Sequence, residues 1–162
     1  MSGAPKIAWL AITDQPDAPW VAQQARNTVW KLADGGATAR YLIHDHDGKF
    51  AASADAVFSA EGISLIKTPI AAPRANAHIE RQIGSTRREC LDWVLILDRP
   101  HLERVLAQWA EHYNQERPHQ GLGLQTPIVR SDPVPMSRAV SCQERLGGLL
   151  RSYSRVPALF PA

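Results

Sequence analysis

Two acidic residues, Asp45 and Glu80, stand where carboxylates could work together. Asp45 follows the short apolar run RYLIH (Arg40 to His44), and Glu80 falls in the first turns of a helix expected from about Asn76 to Leu91, which its apolar neighbours Ile79 and Ile83 are expected to anchor. A carboxylate at the carboxyl end of a strand faces the crevice where α/β proteins place their ligands. Two hard oxygen donors meeting there would suit Mg²⁺ or Mn²⁺, which take carboxylates together with waters and substrate phosphates. Spacing alone leaves ordinary roles open: an Asp after a strand is commonly a turn residue, and a helical Glu is commonly a solvated charge. The string His44-Asp45-His46-Asp47 also allows an unrelated metal hydrolase. His44, His46 and His78 lack the usual spacing of a zinc site.

The basic residues are unevenly placed. Arg74, Arg81, Arg87 and Arg88 fall in one short stretch, and such clustering matters more for phosphate binding than the formal net charge of +2. A solvated helix face is the competing reading.

The elements that must position these groups can be read from pattern. Lys6 to Thr13 (KIAWLAIT) reads as a strand ended by Asp14-Gln15-Pro16. Asp17 is an expected N-cap with Pro19 in the first turn. Trp20, Val21, Gln24, Ala25, Thr28, Val29 and Leu32 then recur on one helical face until Gly35-Gly36. After the Arg40–His44 strand, Ser53 is expected to cap a helix that stops at Gly62, and Ile63 to Lys67 reads as another strand. Helices alternating with strands point to an α/β fold with a partly parallel, mixed sheet and covering helices. Asp98 and Pro100 open a further helix with the apolar stripe Leu102, Val105, Leu106, Trp109 and Tyr113. Beyond His119, Gly and Pro punctuate a stretch expected to be loop-rich, with one last short element at Leu146 to Tyr153.

The bulk numbers exclude several classes. A chain of 162 residues with 44% hydrophobic and 21% charged residues is long enough for a globular core and is not a disordered composition. Cys90 and Cys142 are far apart, which argues against a zinc ribbon or a CxxC redox motif. With no signal-peptide pattern and no apolar run of membrane-spanning length, a cytoplasmic location is expected.

The segments LIHDHDGKF, TPIAAPRANAHIER, RREC and HYNQERPHQGLGLQTP resemble the catalytic core of insertion-sequence transposases. Those enzymes belong to the retroviral-integrase superfamily and have a ribonuclease H-like fold. The most specific piece is Tyr113-Asn114, Arg117-Pro118-His119 and Leu122, followed by Thr126-Pro127. The resemblance runs from about Ile7 to Pro127, with a weaker echo in LGGLLRSY. It therefore implies a partial integrase core over residues 1–127 and a tail over 128–162.

In that family an Asp, Asp, Glu set holds two metal ions, which activate a water or a DNA 3′-hydroxyl for attack on a phosphodiester. Asp45 matches the second Asp, five residues before Phe50, and 34 residues separate it from Glu80, which matches the Glu. Asp47 is the rival for the second position and lies too near that aromatic. The resemblance implies Mg²⁺ or Mn²⁺ as cofactor. It implies DNA as partner, in the form of transposon ends and target, together with homo-oligomers or full-length transposase subunits. Arg74, Arg81, Arg87 and Arg88 become candidates to line DNA backbone. Asn76 either caps its helix or touches DNA, the cap being favoured. Tyr113, Asn114, Arg117 and His119 are expected to fasten the last helix to the core, with DNA contact a lesser role for Arg117 and His119.

The family's first Asp lies further upstream than the 44 residues before Asp45 allow. KIAWLAIT resembles the family's third strand, so the first two strands are expected to be missing from an incomplete ribonuclease H-like fold. Asp14 and Asp17 are poor substitutes. Two strand spacings put Asp14 about 10 Å from the vacant position, against a Mg²⁺–oxygen bond of about 2.1 Å. The expectation is a catalytically incomplete fragment; a non-enzymatic fragment that binds DNA or transposase subunits is the alternative. Either KIAWLAIT closes up beside Arg40–His44 or the sheet keeps an exposed edge.

Overall fold

The computed structural model describes residues 6–44, 52–68, 77–129 and 136–156. The chain falls into two compact units, one formed by residues 8–85 and the other by residues 1–7 with 86–162.

In the first unit, helix α1 spans Ala18–Asp34. Asp17 caps it, its carboxylate accepting from the Trp20 amide at 2.8 Å, with Pro19 in the first turn where a missing N–H costs nothing. The helix ends in a Schellman turn in which Gly36 donates to Ala33 O and Ala37 to Leu32 O, and Gly36 takes a φ of 62°. Strand β1 (Tyr41–His44), helix α2 (Ala52–Ala60) and strand β2 (Ser64–Lys67) follow. Ser53 lies inside α2 rather than capping it.

β1 and β2 are parallel, with Tyr41 opposite Ser64 and His44 opposite Lys67. Ala25 of α1, Ala54 and Phe58 of α2, and Ile63 form the buried core, with Leu42 and Leu65 packing from the sheet. The opposite sheet face carries Tyr41, Ile43 and Ile66, all exposed.

α2 closes with the same turn as α1: Gly62 donates to Ser59 O and Ile63 to Phe58 O, with Gly62 at a φ of 73°. A Cβ at Gly62 would meet no atom within 4 Å, so the cost of Gly62→Ala is conformational alone. We expect about 1 kcal/mol of destabilisation, read as a lowered urea midpoint with an unchanged slope.

Residues Lys6 to Thr13 form no strand and do not close up beside β1. Exposure alternates from Lys6 to Leu10, but Ile7 finds its backbone partners in a side chain: its N–H donates to Asn114 Oδ1 at 2.9 Å, and its carbonyl accepts from Asn114 Nδ2 at 2.8 Å. One primary amide thus supplies the donor and acceptor that a neighbouring strand would have supplied. Among the described residues the β1–β2 sheet has two strands.

Helix α3 (Ala77–Glu89) contains the boundary between the units, and helix α4 spans Arg99–Gln115. Asp98 caps α4 by accepting from the His101 amide at 2.7 Å. Val105, Trp109 and Tyr113 of α4 are buried with Cys90 and Leu150, and Leu91, Val94, Ile96, Leu146 and Leu149 pack around them. The stretch expected to be loop-rich contains an antiparallel hairpin, β3 (Val140–Arg145) and β4 (Leu150–Arg155), joined through a 3-10 turn at Leu146–Gly148. Few of its residues are apolar, so the alternation that marks a strand in sequence is weak here. No helix among the described residues is long and apolar enough to cross a membrane.

Candidate functional site

β1 delivers the chain to His44, the residue before Asp45. Asp45, His46, Asp47, Arg74 and Asn76 lie outside the described residues, as does the side chain of His78. The carboxyl ends of β1 and β2 share a carboxylate that pattern reading did not single out. Asp55 of α2 sets Oδ1 3.5 Å from His44 Nε2 and Oδ2 3.5 Å from Lys67 Nζ. His44 and Lys67 are register partners across the sheet, a non-local relation that only the pairing reveals. Among the described residues no three His, Cys, Asp or Glu side chains are grouped to hold a metal ion.

Glu80 is exposed in the first turn of α3, where a negative charge is favoured by the unpaired amides of the helix start. Arg81, Arg87 and Arg88 are exposed on the same helix, the last two in its final turn. At about 100° per residue, Arg87 stands over Glu80, with Arg81 and Arg88 beside them within an arc of about 120°. Among the described residues Arg87 pairs with Asp92, with Nε to Oδ1 at 3.9 Å, an exposed and weak pair. Ile79 and Ile83, the apolar neighbours expected to anchor this helix, are exposed instead. Gln82, Ser85, Thr86 and Glu89 take the less exposed side. Two of these, Thr86 and Glu89, make polar contacts to α4 and the segment after it, and such contacts carry no hydrophobic period.

The C-terminal turn of α3 is held by the most distinctive residues of the sequence. Arg117 forms a two-pronged pair with Glu89, Nε to Oε2 at 2.8 Å and Nη2 to Oε1 at 2.7 Å. Its guanidinium also lies 5.7 Å from the centre of the Tyr113 ring. The Glu89 hydrogen bonds hold the Arg117 pKa above its ordinary value, while burial pushes the Tyr113 hydroxyl up. Trp109 Nε1 donates to Thr86 Oγ1 at 2.9 Å.

His119 is buried and meets Tyr113 edge-on at 4.5 Å between ring centres. Its Nε2, 3.1 Å from the Tyr113 carbonyl, must carry the proton to donate there. The turn beyond closes through a His119–Gln125 bridge, and the Thr126 hydroxyl donates to Ile128 O at 2.7 Å. Asn114, Arg117 and His119 therefore fasten α4 to its surroundings. For Arg117 or His119 to contact DNA, these bonds would have to be shared or broken.

Residues 61–127 match the family model of the integrase core domain. This stretch, less than half of the chain, is similar to the integrase core domain. Over 68 residues the chain is 35% identical to the 31.7 kDa protein of insertion element IS407 from Burkholderia multivorans, covering 42% of this chain and 24% of that protein. Over 62 residues it is 40% identical to the 39.2 kDa protein of insertion element IS476 from Xanthomonas euvesicatoria, covering 38% of this chain and 18% of that protein. The matched region thus spans a quarter or less of the length of these curated relatives. No solved structure matches the chain. The integrase-core segment includes Glu80, the arginines of α3 and the whole fastening set from Trp109 to Pro127, while Asp45 precedes it.

Proposed function

We propose that the chain acts in DNA transposition, with Asp45 and Glu80 as metal-holding carboxylates and the arginines of α3 against the phosphate backbone. The observation that carries this reading is Glu80 itself. It lies inside the integrase-core segment, exposed in the first turn of α3, with Arg81, Arg87 and Arg88 on the same exposed arc. Its oxygen chemistry suits Mg²⁺ or Mn²⁺. A metal ion held there would supply Lewis-acid activation of a water or DNA 3′-hydroxyl and stabilise the leaving oxygen. Arg81, Arg87 and Arg88 bind the backbone that is to be cut, and Arg74 and Asn76 are further candidates for DNA contact. Arg117, which holds α3 through Glu89, and His119, which packs on Tyr113 of α4, are lesser candidates for DNA contact. The parallel β1–β2 pair, with α1 and α2 packed on its buried face, is compatible with part of a ribonuclease H-like core over residues 1–127, the tail following from 128.

Asp45 and Glu80 are two of the three carboxylates that this chemistry uses, so cleavage by these 162 residues alone is expected to be absent. Titration followed by the Mn²⁺ spin-resonance signal should show weak binding that is lost in Asp45→Asn and in Glu80→Gln. Labelled transposon-end DNA should bind without being cut. Cleavage abolished by both substitutions would overturn the inactivity, and cleavage indifferent to both would overturn the carboxylate assignment.

One feature favours a second, non-enzymatic reading. The β1–β2 sheet exposes Tyr41, Ile43 and Ile66 together on one face, a surface suited to another transposase subunit. Co-expression with an intact transposase should then lower transposition, and Ile43→Lys should relieve the effect.

A further inference from the structure

The β3–β4 hairpin has one face fixed to the protein and one face turned outward. Register sorts its residues: the Arg145–Leu150, Gln143–Ser152 and Ser141–Ser154 pairs share one side, and the Glu144–Arg151, Cys142–Tyr153 and Val140–Arg155 pairs share the other. The first side is anchored. Leu150 is buried with Trp109 and Tyr113, and Arg145 donates to Glu116 at 2.7 Å and to Glu111 at 2.9 Å.

The outer side has a different chemistry. Tyr153 is 69% exposed, with Arg151 and Arg155 two residues to either side on the same face of one strand. Successive same-face residues stand about 7 Å apart along a strand, so two guanidiniums flank one aromatic ring. Arg155 Nη1 donates to the Arg138 carbonyl at 2.6 Å, not to a carboxylate, and Arg138 adds a third positive charge at the open end. The one acidic residue on this face, Glu144, pairs with Arg151 at 2.9 Å. Both side chains are about half exposed, and such a pair is weak enough to yield to a phosphate.

We propose that this outer face is a platform for a DNA strand with unpaired bases, on which a base stacks against Tyr153 while Arg151, Arg155 and Arg138 contact phosphates. Positively charged surfaces with exposed aromatics bind single strands in this way because every base has a stacking face. A duplex keeps its bases paired and could use only the arginines. This assignment rests on the proposed role in DNA transposition.

The test uses the full chain and a fluorescent oligothymidylate of about 16 nucleotides, with a duplex of the same length, read by anisotropy. Tyr153→Ser should weaken single-strand binding roughly ten-fold, with Tyr153→Phe close to wild type. Arg151→Ala combined with Arg155→Ala should lower the salt dependence, d log K/d log [salt], by about 1.4. Because these side chains point outward, circular dichroism should be unchanged in every variant. Independently, an oligonucleotide carrying an activated disulfide should cross-link at Cys142, which faces outward across from Tyr153, and Cys142→Ser should abolish the product.

Wild-type protein that binds neither DNA overturns this inference together with the DNA-contact reading of α3. Wild-type binding that is indifferent to the hairpin variants overturns this inference alone, as does failure to cross-link. Equal loss in Tyr153→Phe and Tyr153→Ser overturns the stacking role.

Discussion

Replacing Trp109 by Ala should destabilise the unit formed by residues 1–7 and 86–162 by about 3–5 kcal/mol, the range for deleting a large buried aromatic. Trp109 is 0% exposed and sits among Cys90, Val105, Tyr113 and Leu150. Its ring lies 5.9 Å from that of Tyr113, and its Nε1 donates to Thr86. Truncation would open a cavity and strip the Thr86 hydroxyl of that donor. Trp109→Phe keeps an aromatic ring in place and loses the hydrogen bond, so its cost should be less than half as large. Urea unfolding followed by circular dichroism measures both. Amide exchange should speed up together in α4 and in β3–β4, since Leu150 carries the hairpin onto the same cluster. A loss below about 1 kcal/mol for the Ala variant would mean that this cluster does not hold the unit together.

What could be read from sequence follows the range over which each interaction acts. Asp17, Gly36, Asp98 and Gly62 act within one helical turn, so pattern places these two caps and two helix ends correctly, though not the cap expected at Ser53. The stripe Val105, Trp109 and Tyr113 is likewise legible because burial imposes the helical period directly. KIAWLAIT has the composition of a strand but pairs with no strand among the described residues, and composition cannot specify that the backbone partner of Ile7 is the amide of Asn114, 107 positions away. The same limit hid Asp55 between His44 and Lys67, and the hairpin, whose anchors are Leu150 and Arg145.

At the candidate site, Glu80 and the α3 arginines were legible as a cluster, and helical geometry adds that they share an exposed arc. Ile79 and Ile83 are apolar but exposed, so apolar character there does not mark the buried side of the helix. The helix is held instead by Thr86 and Glu89, whose polar contacts leave no periodic trace.

The hairpin's attachment should depend on pH, with a sign that the geometry dictates. The Glu116 side chain is only 4% exposed. Burial pushes its carboxyl up, but hydrogen bonds from Arg145, His112 and Ser152 outweigh burial and hold it at about 2, against an ordinary 4.5. A carboxyl whose pKa is lower in the folded state contributes stability that is present above the unfolded value and lost as pH falls through the folded one. Glu116 should therefore contribute fully above about pH 5 and progressively less down to about pH 2, with a ceiling of roughly 3 kcal/mol. Arg145→Ala at neutral pH leaves that carboxylate buried without its main partner, which costs about 3 kcal/mol or more. At pH 3 the penalty should shrink, since the stranded carboxyl, no longer held down by the guanidinium, can take a proton. The measurement is a pair of urea curves for wild type and Arg145→Ala at pH 7 and pH 3, with exchange rates in β3 and β4 locating the effect. An equal penalty at both pH values would show that Arg145 stabilises the hairpin through packing of its aliphatic stem, and that the charge on Glu116 is incidental.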